Sequence, residues 1–273
     1  MSDPSNTRFE DDFDPTFTGT QHERAWIADS LGGFYQDRLI TDVLYRVKGG
    51  KEATVYCCQA HPSTGMQYVA AKVFRPRMFR AMRNDWMYKQ GRGILDAEGK
   101  TVLDGRSLRA MKRKTRFGRQ INTASWCQHE YGALTECHRI GADVPKPVAA
   151  TSNAILMEYI GDAAFAAPTL QSMSLERPEA QTLLSRLIGN VELMLSTYRV
   201  HADLSAYNVL YWHGRVTLID FPQAVDAGRH PEAYALLARD IDRLCQYFTR
   251  QGVRCDPGQL THDLWTRFLH GGF

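Results

Sequence analysis

The chain lacks any run of about 18 uninterrupted apolar residues, the length that a membrane-spanning helix requires. Its first thirty residues also lack the basic start and apolar core of a secretory signal, and carry acidic residues such as Asp11 and Asp12 instead. Core-forming residues are plentiful: 44% of the 273 residues are apolar and 23% are charged, enough for one large domain or two lobes. We therefore expect a soluble cytoplasmic protein that makes no membrane contact.

Cysteine is scarce, and its spacing does not suggest a metal site. The six cysteines form no CxxC pair, and no histidine cluster completes a zinc-ligand set at the usual spacing. Free thiols are the expectation for a cytoplasmic chain. The sequence thus predicts reduced thiols at Cys57, Cys58, Cys127, Cys137, Cys245 and Cys255.

Charge is distributed unevenly, although the formal net charge is only +3. Residues 72–119 hold fifteen Lys or Arg against four Asp or Glu. So basic a segment can neutralise the phosphates of a nucleotide or of RNA, but similar runs also occur as solvated helix faces. Few aromatic residues accompany these charges, which gives base stacking little support. Both interpretations stay open, with RNA or a ribosomal particle as a candidate partner of residues 72–119.

The pattern of elements divides the chain into three parts. Residues 1–20 are rich in Asp, Ser, Thr and Pro, and we expect disorder because they can bury little apolar surface. Residues 21–160 predict a short helix, three antiparallel strands, a Gly-punctuated basic stretch at about 76–120, a second helix and two further strands. Residues 161–273 predict long helices interrupted by two short strands. This order of elements predicts an α+β fold.

The most informative stretch has the pattern His-x-Asp-x-x-x-x-Asn and begins at His201. Asp220 lies twelve residues beyond it, after a predicted hairpin. Phosphoryl transfer needs a carboxylate that orients the attacking hydroxyl, and oxygen ligands that hold Mg²⁺ against the phosphates. Asp203 would be that carboxylate, and Asn208 and Asp220 would be the metal ligands. Asp203 or Asn208 alone would be an ordinary turn residue, but the shared register indicates chemistry.

A lysine on the third predicted strand would complete such a site. Lys72, flanked by apolar residues, has the context of the cation that steadies the α- and β-phosphates. A lone strand lysine is more often an edge residue, so this assignment depends on a carboxylate partner. Glu130 on the following helix is the preferred partner, ahead of Glu136.

The loop between the first two predicted strands is Gly-rich and begins at Lys48. Its backbone N–H groups would cover the phosphates of a nucleotide. The loop lacks the G-x-G-x-x-G pattern of ordinary protein kinases, and a tight hairpin turn would use the same glycines. The candidate phosphate-binding residues are Gly50, Lys51, Glu52 and Ala53.

These motifs together resemble the RIO family of atypical serine/threonine protein kinases. The matching segments are Gly50-Lys51-Glu52-Ala53, Trp126-x-x-x-Glu130, Met157-Glu158-Tyr159-Ile160-Gly161, His201-Ala202-Asp203-Leu204-Ser205-x-Tyr207-Asn208 and Ile219-Asp220-x-Pro222-Gln223-Ala224-Val225. Ser205 stands where ordinary protein kinases place a lysine. The chain departs from the family where Lys48 and Gly49 replace the usual Ser or Thr before Gly-Lys-Glu.

The resemblance implies a two-lobed, protein-kinase-like fold with ATP between the lobes. The N-terminal lobe would be an antiparallel sheet over residues 21–160, with a flexible basic insertion at about 76–120. The C-terminal lobe, residues 161–273, would be helical and truncated, because only 53 residues follow Asp220.

The resemblance also implies binding and catalytic roles. Adenine would bond to the backbone of Glu158 and Ile160, with Met157 beside the adenine pocket. The implied reaction is transfer of the γ-phosphate of ATP to a Ser or Thr hydroxyl of a protein substrate, or of the chain itself by autophosphorylation. Mg²⁺, or Mn²⁺ in its place, would be the cofactor.

Two other functions stay open. Small-molecule kinases use a related His-x-Asp-x-x-x-x-Asn loop, although Ser205 and the segment around Asp220 argue against them. The chain could instead be a switch-like ATPase that acts as an RNA or ribosome-assembly factor, gripping RNA with residues 72–119.

Overall fold

A computed structural model describes residues 13–75, 93–113 and 115–272. The first twelve residues of the predicted disordered segment, and residues 76–92 and 114 of the predicted insertion, lie outside this description. No helix within the described ranges is long and apolar enough to cross a bilayer.

The described part of the chain contains six α-helices and nine β-strands. The helices are α1 (Gln21–Gln36), α2 (Gly105–Lys112), α3 (Arg116–Arg139), α4 (Arg177–Ser196), α5 (Ala233–Arg250) and α6 (Pro257–Leu269). The strands are β1 (Ile40–Gly49), β2 (Ala53–Ala60), β3 (Tyr68–Phe74), β4 (Pro147–Ala150), β5 (Ala154–Glu158), β6 (Arg199–Val200), β7 (Val209–Trp212), β8 (Arg215–Leu218) and β9 (Val225–Asp226). This arrangement confirms the predicted α+β class, with an antiparallel sheet in the N-terminal half and mainly helices in the C-terminal half.

Strands β1 to β5 form one antiparallel sheet in the order β1-β2-β3-β5-β4. Side chains alternate between the two faces of a strand, and β3 shows how this places a functional residue. Val69, Ala71 and Val73 face the core that α1 also joins. The alternate positions Ala70 and Lys72 therefore point to the opposite face, toward the C-terminal half of the chain.

The segment before α1 packs against the sheet. Phe17 is buried with its ring edge against Tyr56, and Phe13 stacks on Tyr35 with ring centroids 4.8 Å apart. The expectation of disorder was therefore wrong for residues 13–20. Two phenylalanines anchor a segment whose overall composition is polar.

The second helix predicted from the sequence is α3, which begins at Arg116, within the predicted basic stretch, and forms a hairpin with α2. Thr115 caps α3 by accepting the Gly118 N–H at 3.0 Å. A Cβ at Gly118 would lie 2.1 Å from the Ala110 carbonyl oxygen, so glycine is what lets the two helices approach. Gly105–Lys112 and the first residues of α3, which the resemblance assigned to a flexible insertion, are helical in the structure.

The C-terminal half packs its helices around one large apolar core. Leu187 and Val191 of α4 meet Ile241 and Leu244 of α5 in that core. Two short antiparallel pairs, β6 with β9 and β7 with β8, lie beside these helices. The β7–β8 hairpin confirms the two predicted short strands and sets the spacing between the catalytic-loop motif and the aspartate that follows it.

One prediction about cysteine was wrong. Cys245 near the end of α5 and Cys255 before α6 form a disulfide, with Cα atoms 5.4 Å apart. The turn between the two helices brings together residues ten positions apart, a spacing that matches no local sequence motif. The other four cysteines are free and buried.

Candidate active site

A cavity of about 640 Å³ lies between the sheet and the loops of the C-terminal half. Its walls come from β1, β2, β3, the segment after β5, and the ends of the β7–β8 hairpin. The predicted site residues that line it are Gly50, Lys51, Glu52, Ala53, Lys72, Glu130, Met157, Glu158, Ile160, Asn208 and Asp220. Asp203 does not line the cavity but bonds to Asn208, which does.

Lys72 bridges three separate elements of the fold. Its Nζ lies 2.5 Å from Glu130 Oε1 on α3 and 2.5 Å from Asp220 Oδ1 in the loop after β8. Lys72 and Glu130 are buried, whereas the Asp220 side chain is 43% exposed. Glu136, the alternative partner, pairs with Arg139 on the surface instead.

Burial and charge act against each other within this triad. Burial alone would lower the pKa of Lys72, but the carboxylates of Asp220 and Glu130 outweigh it and hold the pKa above its usual value. Burial raises the pKa of Glu130 despite the attraction of Lys72. Burial would also raise the pKa of Asp220, but the charge and the hydrogen bond of Lys72 outweigh burial and lower that pKa. At neutral pH the site therefore presents an ammonium beside an ionised Asp220.

The Asp203 carboxylate is held from two sides. Oδ1 accepts from Arg243 Nη1 at 2.8 Å, and Oδ2 accepts from Asn208 Nδ2 at 3.2 Å. Asn208 Nδ2 also donates to the Asp203 carbonyl at 2.9 Å. The amide nitrogen of Asn208 thus faces Asp203, which leaves its carbonyl oxygen as the group that a cation in the cavity can use.

The catalytic-loop backbone is braced by α5. Ala202 has φ 63°, a left-handed conformation that costs a non-glycine residue free energy. Asp240 Oδ2 accepts the Ala202 N–H at 2.7 Å, and Arg239 donates to the Ala202 carbonyl oxygen. Burial raises the pKa of Asp240 to about 7. His201, whose pKa is lowered by burial, contacts the Ile219 carbonyl oxygen and so joins this loop to the residue before Asp220.

The segment after β5 forms one wall of the cavity. The Glu158 N–H donates to the Lys146 carbonyl at 2.8 Å, and the Ile160 carbonyl accepts from the Ala167 N–H at 2.9 Å. A nucleobase contact at these positions would therefore fall to the Glu158 carbonyl and the Ile160 N–H. The Tyr159 hydroxyl bonds instead to the Tyr45 hydroxyl of β1 at 2.7 Å, which ties this wall to the sheet.

The glycine loop behaves partly as a hairpin turn. The Gly50 N–H donates to the Ala53 carbonyl at 2.9 Å, and a Cβ on Gly50 would lie 3.1 Å from that same oxygen. Gly50 thus serves the turn, and its N–H is already used. A phosphate cradle at this loop would depend on Lys51, Glu52 and Ala53.

The donor set suits a hard divalent cation. Within the ranges that the structure describes, no group of three or more His, Cys, Asp or Glu side chains could hold a metal by itself. Asp220 and Asn208 offer a carboxylate and an amide oxygen to the same cavity. One or two such protein ligands, completed by water and phosphate oxygens, are typical of Mg²⁺.

Comparison with known proteins decides the family. The RIO domain model matches residues 98–260, more than half of the chain. The chain belongs to the RIO family. The RIO match covers Glu130, Asp203, Asn208 and Asp220 but does not reach Lys72.

Among curated proteins, the chain is similar to RIO-type serine/threonine-protein kinases. It is 33% identical to Rio1 of Thermoplasma acidophilum over 147 residues, which is 54% of this chain and 76% of that protein. It is 34% identical to Rio1 of Haloferax volcanii over 139 residues, 50% of this chain and 46% of that one. It is 28% identical to RIO1 of Chaetomium thermophilum over 227 residues, 79% of this chain and 41% of that one. The chain thus spans three quarters of the first relative and less than half of the other two.

Solved structures confirm the predicted kinase-like fold. Two crystal structures of the Rio2 kinase from Chaetomium thermophilum match 86% of this chain with a TM-score of 0.59 and 18% identity. The chain covers 64% and 65% of those proteins, and one of them is an ADP/Mg²⁺-phosphoaspartate complex.

Sequence reasoning missed Arg243, which contacts Asp203 from a helix forty residues away along the chain. The available signal was its spacing on α5, because Arg239 and Arg243 are four residues apart and so share a helix face.

Proposed function

We propose that this RIO kinase transfers the γ-phosphate of ATP to a Ser or Thr hydroxyl of a protein, either a separate substrate or the chain itself. The observation that carries the proposal is the convergence of Lys72, Asn208 and Asp220 on one cavity, with Asp203 bonded at its edge. These are the cation, oxygen ligands and carboxylate that phosphoryl transfer requires.

The cavity offers a suitable place for the nucleotide substrate. Its volume of about 640 Å³ lies within the range of small-molecule sites, roughly 300–1,000 Å³. Adenine would lie against Met157 and bond to the Glu158 carbonyl and the Ile160 N–H. The phosphates would then extend toward Lys72, whose ammonium can hold their oxygens.

Transfer follows from the position of Asp203. Its carboxylate orients the acceptor hydroxyl and takes its proton as the oxygen–phosphorus bond forms. The bond from the γ-phosphorus to the bridging oxygen breaks, and ADP leaves with that oxygen. Asn208 and Asp220 would hold Mg²⁺ or Mn²⁺, which supplies charge neutralisation at the β- and γ-phosphates.

A second candidate is a switch-like ATPase that acts with RNA or a ribosomal particle. Two observations favour it: the solved Rio2 complex contains phosphoaspartate, and several basic side chains between the start of α2 and the start of α3 are exposed. In this chain Asp220 is the aspartate that lines the cavity. The exposed basic residues are Arg106, Arg109, Lys112, Arg113 and Arg116.

Radiolabelled γ-phosphate separates the two candidates. Wild type, Asp203→Asn and Asp220→Asn would be incubated with labelled ATP and Mg²⁺, and phosphoprotein counted apart from free phosphate. The kinase proposal expects acid-stable label on Ser or Thr that both variants lose. Hydroxylamine-labile label together with free phosphate, accelerated by RNA, would instead support the ATPase and contradict the kinase.

A further inference from the structure

Helix α5 makes three contacts with the catalytic loop from two consecutive turns. Arg239 and Asp240 hold the carbonyl and N–H of Ala202, so both act on backbone. Arg243, one turn further along, is different because its Nη1 donates directly to the Asp203 carboxylate at 2.8 Å. The helix thus fixes both the path of the loop and the direction of the side chain at its centre.

The charged groups near Asp203 also single out Arg243. Ser205, two residues after Asp203, carries no charge. The Lys72 ammonium is engaged by Glu130 and Asp220 on the nucleotide side of the site. Arg243 therefore brings a cation directly to the Asp203 carboxylate, and its side chain is 38% exposed.

We propose that Arg243 is a positioning residue for phosphoryl transfer, which holds the Asp203 carboxylate in the orientation that accepts the hydroxyl proton. This inference rests on the proposed kinase function and deepens it. Asn208 holds the other carboxylate oxygen, so loss of Arg243 leaves Asp203 with one restraint and frees it to rotate. Misorientation of a catalytic group by such a change slows the chemical step more than substrate binding.

A purely structural role would instead predict that removal of Arg243 lowers the unfolding temperature, and the exposure of the pair argues against that. Ion pairs between partly exposed side chains contribute little to folding stability, and Arg243 and Asp203 are 38% and 36% exposed. Removing Arg243 should therefore leave the unfolding temperature and ADP affinity unchanged. The contact uses one nitrogen of the guanidinium, so a lysine can supply the same charge and a similar hydrogen bond.

The test compares Arg243→Gln, Arg243→Lys and a control, Arg267→Gln. Arg267 pairs with Glu192 on α4 at similar exposure, away from the catalytic loop. Autophosphorylation rate over a range of ATP concentrations would give kcat and KM. ADP affinity by calorimetry and thermal unfolding would be measured on the same proteins. We expect Arg243→Gln to lower kcat about 10- to 100-fold with KM for ATP within about twofold.

The other two variants separate the role of the Arg243 charge from a general effect of substitution. Arg243→Lys should keep kcat within about threefold of wild type, and Arg267→Gln should match wild type. Wild-type kcat in Arg243→Gln, alongside an inactive Asp203→Asn, would overturn this inference alone. A parallel loss of kcat, ADP affinity and unfolding temperature in Arg243→Gln would also overturn it. Absence of transfer by the wild type itself would overturn the proposed function as well.

Discussion

Replacement of Lys72 by methionine should destabilise the protein far more than neutralisation of its partner Glu130. In the wild type one ammonium compensates two carboxylates at 2.5 Å each. Lys72→Met leaves the Glu130 carboxylate, whose side chain is 5% exposed, without a cation. Breaking a buried pair in this way costs about 3 kcal/mol, the low end of the usual range.

Glu130→Gln should destabilise the protein much less than Lys72→Met. Its carboxylate already has a raised pKa, which means that burial disfavours the charge even with Lys72 present. In the variant, Lys72 keeps Asp220 as its counter-ion. The free energy of unfolding should therefore fall by no more than about 1 kcal/mol, because removing one buried charge is offset by relief of its desolvation.

The Lys72→Met deficit should also depend on pH. Loss of the ammonium raises the pKa of Glu130 further above its unfolded value, so folding of the variant takes up a proton there. A group with a raised carboxyl pKa destabilises the fold at pH values above its unfolded pKa, and this effect fades as pH falls toward that value. The deficit should be smaller at pH 5 than at pH 7.

Urea unfolding at pH 5 and pH 7 measures the unfolding free energies of the wild type and the two variants. Lys146→Met is the control because Lys146 is exposed. The control should stay within about 0.5 kcal/mol of wild type. Equal losses in Lys72→Met and Glu130→Gln, or a Lys72→Met deficit that does not change with pH, would refute this account of the triad.

Three further predictions concern the metal ligand, the loop brace and the helical hairpin. Asn208→Ala removes one oxygen ligand, so the Mg²⁺ concentration for half-maximal ATP turnover should rise by about tenfold or more, and an unchanged Mg²⁺ titration would argue against the assignment. The pKa of Asp240 is raised to about 7, so the ionisation of this carboxyl makes the wild type less stable as pH rises from about 4 through 7. Asp240→Asn should therefore flatten the change in unfolding free energy between pH 5 and pH 8. An unaltered dependence of the unfolding free energy on pH would contradict this. Gly118→Ala sets a Cβ 2.1 Å from the Ala110 carbonyl oxygen and should cost about 1–3 kcal/mol in urea unfolding. The matched Gly132→Ala on the same helix meets nothing within 4 Å and should be neutral or stabilising by up to about 1 kcal/mol, so equal effects of the two substitutions would count against the close approach of the helices.

The convergence of the central site residues was predictable because they are close in sequence or carried by regular elements. Asp203 and Asn208 share one loop, and Asp220 follows a hairpin whose length sets its position. Lys72 could be placed because strand alternation puts it on the face opposite the apolar positions of β3. The RIO family and the kinase-like fold followed from these segments and are confirmed.

Other features depend on packing that no local pattern reveals. Arg243 reaches Asp203 only because α5 lies under the catalytic loop, a tertiary arrangement. The ordering of residues 13–20 depends on two phenylalanines that find partners on α1 and the sheet. Gly50 was assigned to phosphate binding, but its N–H is taken within its own turn. Composition and spacing describe each segment alone, whereas these contacts join distant ones.

The most direct test of the central claim is the stoichiometry of transfer. Purified wild type and Asp203→Asn would be given ATP and Mg²⁺, and the ADP released would be compared with the phosphoserine and phosphothreonine formed over the same interval. The account predicts about one phosphorylated hydroxyl per ADP in the first turnovers of the wild type, and neither product in Asp203→Asn. ADP release matched by free phosphate, with no phosphoserine or phosphothreonine, would contradict it.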